Sequence, residues 1–119
     1  MDLSIPMAAV MALALANNAS ACWDEAARTH GVDPWLLYGI AVVESGLDPA
    51  ALNLDHLGRT GSYDIGLMQI NSRNLPALAK LGVAPEHLWD PCTSVEVGAR
   101  ILREKLDHYG ETWEAVGAY

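Results

Sequence analysis

The sequence predicts one domain that is mostly α-helical, with at most a minor β element. Three observations support this class. The chain has 119 residues, about the length of a single domain. Hydrophobic residues make up 51% of it and charged residues 18%, which is enough apolar material for a core. From residue 22 onward, turn signals separate about five segments with helical spacing, and no internal repeat or linker interrupts them.

Residues 1–21 have the outline of a secretory signal. An apolar run from Ile5 to Ala16 is followed by two asparagines and by an A-x-A-like cleavage site that ends at Ala21. The run is shorter than the roughly 20 residues that a membrane-spanning helix needs. Because Asp2 stands where Lys or Arg is usual, a buried N-terminal helix is the alternative. We therefore expect an exported protein with no stable membrane span and a domain over residues 22–119.

The chain has two cysteines, Cys22 and Cys92, and in an exported protein an even count indicates one disulfide. Closing a loop of about 70 residues would stabilise the fold by about 4 kcal/mol. In a cytosolic protein the two would instead be unrelated buried thiols. Lipid modification of Cys22 is a third interpretation, but Ala19 occupies the position of the expected Leu, and Cys92 would then have no partner.

Two helices are predicted at the start of the domain. The first covers Cys22–His30, has its apolar residues on one face and stops at Gly31. The second begins with Asp33 as N-cap and Pro34 at the first helical position. Its residues Trp35–Val43 are apolar at nearly every position, which predicts a central helix buried on all sides.

The segment that follows Gly46 has no long helical period. Alternation is limited to three residues, Tyr63, Ile65 and Leu67, which predicts a small hairpin or an irregular loop. A short helix is then predicted over Leu75–Leu81, stopped by Gly82, and a single turn over Pro85–Trp89.

The longest predicted helix begins at a capping box, Thr93–Glu96, and ends before Gly110. Its apolar face consists of Val95, Ala99, Leu102 and Leu106. Thr112 is placed to cap a last helix over Trp113–Tyr119.

The charge pattern disfavours a nucleic-acid partner. The formal net charge is -8, and the seven Lys and Arg residues are scattered among 15 acidic ones. The four histidines, His30, His56, His87 and His108, lack paired metal-ligand spacing, so we expect surface or capping residues and no metal site. Three tryptophans, Trp35, Trp89 and Trp113, are expected in the core rather than as platforms for sugar rings.

Glu44 is the single carboxylate at the end of the second predicted helix. The side chains that share its face one and two turns earlier are apolar, namely Leu37, Ile40 and Ala41. Apolar surroundings and the negative end of the helix dipole both disfavour an ionised carboxylate, so the pKa of Glu44 should be raised. A carboxylic acid that keeps its proton near neutral pH suits general-acid cleavage of an ether-like bond. A glutamate at a helix end also commonly points into solvent, and position alone leaves both interpretations open.

A second group of polar residues lies in the segment Gly61–Ser72. Asp64 is the nearest carboxylate beyond the intervening loop that could return to Glu44. The amides of Gln69 and Asn71 can donate to and accept from sugar hydroxyl and N-acetyl groups. Each residue alone suits a turn, but their clustering among glycines and apolar residues makes a binding site equally well supported.

Three motifs in this order carry a family resemblance: Glu44-Ser45, the segment GLMQIN at Gly66–Asn71, and AVGAY at Ala115–Tyr119. Together they resemble the soluble lytic transglycosylase (SLT) domain, above all its small specialised members associated with type III and type IV secretion, conjugation or pilus systems. The resemblance implies a lysozyme-like fold and an exported, periplasmic enzyme without a cofactor. It also implies a disulfide between Cys22 and the cysteine of the segment Asp90–Cys92.

The resemblance assigns roles to individual residues. Glu44 would protonate the β-1,4 bond between N-acetylmuramic acid and N-acetylglucosamine, then act as base on the C6 hydroxyl, so that a 1,6-anhydro ring forms. Ser45 would support the glutamate, and Tyr119 would form a hydrogen bond near it. Asn71, Gln69 and the backbone around Met68 belong to the implied sugar cleft.

The chain departs from the family pattern in two places. Asp64 falls on the second catalytic carboxylate of animal-type lysozymes, which many lytic transglycosylases lack. We expect it to support an oxocarbenium-like transition state, and a hydrolase is the alternative. The family pattern usually continues past the tyrosine, so we expect Tyr119 to be loosely held.

A non-catalytic assembly factor that binds peptidoglycan is the further alternative to an enzyme. The expected partners of the protein are glycan strands and proteins of a secretion, conjugation or pilus apparatus.

Overall fold

The computed structural model of the protein describes residues 22–119, and the predicted secretory signal at residues 1–21 lies outside the described residues. Over the described range the elements follow the order α1 (residues 22–30), α2 (Pro34–Ser45), β1 (Leu52–Asn53), α3 (Leu57–Thr60), β2 (Asp64–Ile65), β3 (Ile70–Asn71), α4 (Leu75–Ala79), α5 (Pro91–Tyr109) and α6 (Trp113–Gly117). Two 3₁₀ turns occupy Ser72–Asn74 and Pro85–Trp89. The mostly helical class with a minor β element is confirmed.

Helix α2 has the predicted ends. An Asp33 carboxylate oxygen accepts a hydrogen bond from the Trp35 amide at 2.8 Å, and Pro34 is the first helical residue. Gly46 adopts a left-handed φ of 64°, and its amide donates to the Val42 carbonyl. The helix therefore stops directly after Ser45, which leaves Glu44 in its last turn.

The expectation that α2 is buried on all sides is wrong. Leu37, Ile40 and Ala41 are buried, but Trp35 is 80% exposed and Val43 is 84% exposed. Helix α2 contacts α5 and, through the ring pair Tyr38–Trp23, also α1, but its buried residues all lie on one face. Apolar composition all round a helix therefore does not establish burial all round it.

The tryptophans expected in the core are also at the surface. Trp113 is 82% exposed and Trp89 is 40% exposed, as is most of Trp35. Each lies in or near a helix terminus, where neighbouring elements cover little of a large ring.

Three short strands form one antiparallel sheet in the order β1-β2-β3. Strand β2 pairs with β3 as a hairpin, which confirms the hairpin interpretation of this segment. The alternation that predicted it extends to Leu67, but the chain leaves the extended conformation at Gly66, where φ is 77°. The register places Asp64 beside Asn53 on one side and Asn71 on the other.

Helix α5 forms the centre of the core. Its predicted apolar face is buried: Val95, Ala99, Leu102 and Leu106. The predicted start is wrong, because the helix begins at Pro91 with Asp90 as N-cap. The Asp90 carboxylate accepts from the Thr93 amide at 2.9 Å, so Thr93 is already inside the first turn.

The shorter helices differ from expectation at their ends. Helix α4 stops at Ala79 rather than at residue 81, and α6 starts after its predicted cap Thr112 but stops at Gly117. Helix α3 was not predicted, since one turn is too short to show a period. Among the described helices, none combines the length and the hydropathy that a bilayer crossing requires.

The disulfide interpretation of the two cysteines is confirmed. Cys22 and Cys92 are bonded, with their Cα atoms 5.3 Å apart. The bond joins the start of α1 to the first turn of α5 across 70 residues of sequence. It therefore fixes the first described helix to the central one.

Candidate active site

Glu44 lies at a cavity of about 300 Å³ between α2 and α6. The other lining residues are mostly apolar: Leu36, Gly39, Ile40, Val43, Val116, Gly117 and Tyr119. Partial burial raises the pKa of the Glu44 carboxyl above its ordinary value of 4.5, and repulsion from Asp64 raises it further. The predicted direction is confirmed, with burial as the larger cause. Glu44 is thus a surface carboxyl that holds its proton more tightly than a free one.

Ser45 ties the end of α2 to the segment after β2. Its hydroxyl donates to the Leu67 carbonyl at 2.6 Å and lies 3.2 Å from the Ala41 carbonyl. Its oxygen also accepts from the Asp48 amide at 3.2 Å. Ser45 therefore holds the backbone next to Glu44 in place.

Gly66 to Gln69 form a tightly packed turn between β2 and β3. A side chain at Gly66 would place its Cβ only 2.5 Å from the Leu88 carbonyl oxygen, so the turn requires glycine there. The Gln69 backbone has a positive φ of 51°, and its side-chain nitrogen donates to the carbonyls of Gly66 (2.9 Å) and Ala51 (3.2 Å). The Gln69 side-chain amide, which the sequence predicted to contact sugars, thus stabilises the turn.

Met68 is the anchor of this turn. Its side chain is fully buried, and its amide donates to the Ser94 hydroxyl of α5 at 3.0 Å. Gly98 of α5 leaves the room for it, since an added Cβ would approach Met68 Cε to 2.8 Å. Met68 and Gln69 are not among the residues that line the cavity beside Glu44.

Tyr119 connects this turn to the cavity. Its hydroxyl donates to the Met68 carbonyl at 2.9 Å, and its ring lines the same cavity as Glu44. Burial, and then the charges of Glu44 and Asp64, raise the pKa of the Tyr119 phenol, which therefore stays neutral and keeps its proton as a donor. The expectation that Tyr119 is loosely held is wrong, because a hydrogen bond and close packing fix its hydroxyl.

Asp64 is held by partners on both carboxylate oxygens. The Asn71 side-chain amide donates to Oδ1 at 2.9 Å and to the Ser62 hydroxyl at 3.1 Å. His56 Nε2 lies 2.7 Å from Oδ2. Since the Asp64 charge reaches both Glu44 and Tyr119, these three groups share one electrostatic environment. Asn71, which the sequence predicted to contact the sugar, donates a hydrogen bond to Asp64 in the structure.

Sequence reasoning missed the part played by His56, which was expected only at the surface or as a cap. The sequence did offer one sign that the ring is held in place, because Thr60 follows His56 by four residues and the two side chains can meet across one helical turn. The other contacts of histidines are more ordinary: His30 pairs with Glu96 at 2.6 Å, and His87 Nδ1 accepts from the Ala84 amide. Across residues 22–119, no three His, Cys, Asp or Glu side chains are grouped to hold a metal ion.

Comparison with known proteins matches this chain to one family. The family described as "Transglycosylase SLT domain" matches residues 21–119. Invasion protein IagB of Salmonella typhimurium is 46% identical over 99 residues, which are 82% of this chain and 60% of the relative. Protein IpgF of Shigella flexneri is 41% identical over 99 residues, 82% of this chain and 63% of that protein. A "Peptidoglycan-binding-like protein" of Escherichia coli O157:H7 is 37% identical over 105 residues, 84% and 63% of the two chains. The chain thus spans about three fifths of the length of the curated relatives it matches.

Proposed function

The chain belongs to the transglycosylase SLT domain family, and from this we propose that it is a peptidoglycan lytic transglycosylase. Its substrate would be the β-1,4 bond between N-acetylmuramic acid and N-acetylglucosamine. The observation that carries the proposal is Glu44, a carboxyl with a raised pKa at the mouth of an apolar cavity. A general acid for a glycosidic oxygen needs that combination of retained proton and access.

The proposed reaction uses Glu44 twice. The protonated carboxyl first gives its proton to the glycosidic oxygen, and the bond from that oxygen to C1 of the muramoyl residue breaks. The resulting Glu44 carboxylate then takes the proton of the C6 hydroxyl, and O6 bonds to C1. The products are a free 4-hydroxyl on one strand and a 1,6-anhydro ring on the other, and Glu44 ends protonated again without the use of water.

Asp64 is proposed to support this reaction by charge alone. The C1 centre becomes positive as the bond breaks, and a fixed carboxylate nearby lowers the energy of that state. The bond from Asn71 orients the carboxylate before the substrate arrives. Asp64 also repels the ionised form of Glu44, which helps Glu44 keep its proton.

The same carboxylate favours a second candidate, a hydrolase of the same bond. A fixed second carboxylate is the arrangement with which lysozyme-type enzymes form or stabilise a glycosyl intermediate at C1, which water then hydrolyses. Digestion of purified sacculi followed by mass measurement of the soluble muropeptides separates the two. The proposal expects anhydro ends, lighter by one water, whereas reducing ends would make the protein a hydrolase.

We propose that the protein works in the periplasm, on glycan strands at the place where a secretion, conjugation or pilus apparatus assembles. The Cys22–Cys92 bond supports an oxidising compartment. A non-catalytic role in wall binding is the third candidate, in keeping with the name of the Escherichia coli relative. That role predicts sacculus binding without muropeptide release.

A further inference from the structure

His56 directly precedes helix α3, and its side chain faces the Asp64 carboxylate. Its Nε2 atom lies 2.7 Å from Asp64 Oδ2, and its Nδ1 atom lies 2.7 Å from the Thr60 hydroxyl oxygen. Both side chains of the pair are 19% exposed. The ring is thus fixed at both nitrogens in a largely covered position, and the proposed mechanism assigns it nothing.

The position of the ring proton follows from the chemistry of its neighbours. An ionised carboxylate oxygen only accepts hydrogen bonds, so a ring nitrogen at 2.7 Å must carry a proton. In the neutral ring the proton is then on Nε2, and Nδ1 accepts from the Thr60 hydroxyl. In the imidazolium, both nitrogens donate, and the Thr60 hydroxyl turns to the His56 carbonyl at 2.9 Å. Either form keeps the ring against Asp64.

The His56 contact closes a ring of hydrogen bonds around the carboxylate. The Thr60 hydroxyl oxygen lies 3.0 Å from the Ser62 hydroxyl oxygen. The Asn71 side-chain amide donates both to this Ser62 oxygen and to Oδ1 of Asp64. The cycle joins the turn of α3 to strands β2 and β3. His56 and Asp64 are the members of this cycle with ionisable side chains.

We propose that His56 is a positioning residue for Asp64, which orients this carboxylate and sets the charge that it presents to the reacting sugar and to Glu44. The inference deepens the proposed function and rests on it. With a neutral ring the pair carries one negative charge, and with an imidazolium it carries none.

The other charged groups near the pair are few. Arg73 reaches the carbonyl of Thr60 from the 3₁₀ turn after β3, at 2.8 Å, and Asp55 and Arg59 are exposed neighbours in sequence. The charge of Asp64 also acts on Glu44 and Tyr119. Since Arg73 bonds to backbone rather than to the carboxylate, His56 is the basic side chain in contact with Asp64.

A double-mutant cycle tests the proposal. Muropeptide release, sacculus binding and thermal unfolding are measured for wild type, His56→Ala, Asp64→Asn and the double variant. We expect His56→Ala to lower the maximal rate about tenfold with little change in KM, and to have no further effect when Asp64 is already Asn. Equal losses in both backgrounds, or losses that follow the unfolding temperature, would overturn it.

The conservative variant His56→Gln separates orientation from charge. Its amide can donate to Asp64 but cannot ionise, so we expect it to recover most of the rate lost in His56→Ala above neutral pH. In acid, wild type and His56→Gln should differ in their pH profiles, because the wild-type pair can lose its net charge by protonation of the ring, whereas the variant can lose it only by protonation of Asp64 itself. Identical profiles at all pH values would show that the charge of His56 has no part in the reaction. Recovery no better than that of His56→Ala would overturn the role in orientation.

Ring ¹⁵N chemical shifts test the inference without activity. We expect neutral His56 to be protonated on Nε2 in wild type and to lose that preference in Asp64→Asn. His87 is the internal control, because its Nδ1 accepts from the Ala84 amide and its tautomer should be the same in both proteins. A His56 ring protonated on Nδ1 would overturn the inference. Correct tautomers in a protein that releases no muropeptides would instead count against the proposed function alone.

Discussion

The hydroxyl of Ser45 donates to the carbonyl oxygen of Leu67 at 2.6 Å. This bond joins the residue after the candidate acid to the turn between β2 and β3. The carbonyl oxygen of the next residue of that turn, Met68, accepts a hydrogen bond from the Tyr119 hydroxyl. One short segment therefore fixes two sides of the cavity in which Glu44 lies.

Replacing Ser45 with alanine should loosen Glu44 without removing any reacting group. We expect a loss of about 1 kcal/mol in unfolding free energy and a lower maximal rate, because the Leu67 carbonyl loses its donor. Thr93→Ala is the matched control, since it removes an exposed hydroxyl bonded to Asp90 at the start of α5. Urea unfolding and muropeptide release measure the two effects. Similar rates for the two variants would contradict a positioning role for Ser45.

The pH dependence of muropeptide release should follow the Glu44 proton. The active form is protonated, and the pKa in the folded protein is raised above 4.5, so the rate should persist above that pH and fall as the pH rises through the raised pKa. Asp64→Asn removes the repulsion that contributes to this rise. Its alkaline limb should therefore lie at lower pH than that of wild type. A limb that moved to higher pH, or did not move, would show that Asp64 does not act on Glu44.

Gly98 should not tolerate a methyl group. Its added Cβ would lie 2.9 Å from Met68 Cγ and 2.9 Å from the Tyr119 hydroxyl oxygen, both in the packed interior. We expect Gly98→Ala to lower the unfolding free energy by about 1 to 3 kcal/mol. Gly39→Ala on α2 is the matched helical control, since nothing lies within 4 Å of its added Cβ, and it should gain up to about 1 kcal/mol. Equal effects at the two positions in urea unfolding would contradict this packing.

The Cys22–Cys92 bond should supply a large share of the stability. Closing 70 residues of sequence gives about 4 kcal/mol by chain entropy, so Cys22→Ser with Cys92→Ser should unfold at a much lower urea concentration. Reductant should destabilise wild type by a similar amount and leave the double variant unchanged. A double variant as stable as oxidised wild type would contradict the stabilisation that we expect from the disulfide.

Much of the fold was predictable because its signals are local. The cap at Asp33, the stop at Gly46 and the apolar face of α5 depend on residues within a few positions of each other. Helix α3 escaped prediction because one turn contains too few residues for a period. The burial of α2 was mispredicted because the number of neighbours that cover a helix is a tertiary property.

The candidate site divides in the same way. The raised pKa of Glu44 was predictable, because its apolar neighbours lie one and two turns back on the same helix. The parts played by Gln69 and Asn71 were not, since both amides are bonded to atoms within the turn and the hairpin. His56 was missed because its partner Asp64 is met only after α3 and a turn bring the chain back.

The most direct test is the rate of muropeptide release from sacculi by wild type and by Glu44→Gln. If Glu44 is the acid, the variant should be about 10² to 10⁴ times slower while it binds sacculi equally well. At neutral pH it should be at least as stable as wild type, because burial disfavours the ionised carboxylate that it removes. Release by the variant at the wild-type rate, or no release by either protein, would contradict the assignment of Glu44 as the catalytic acid.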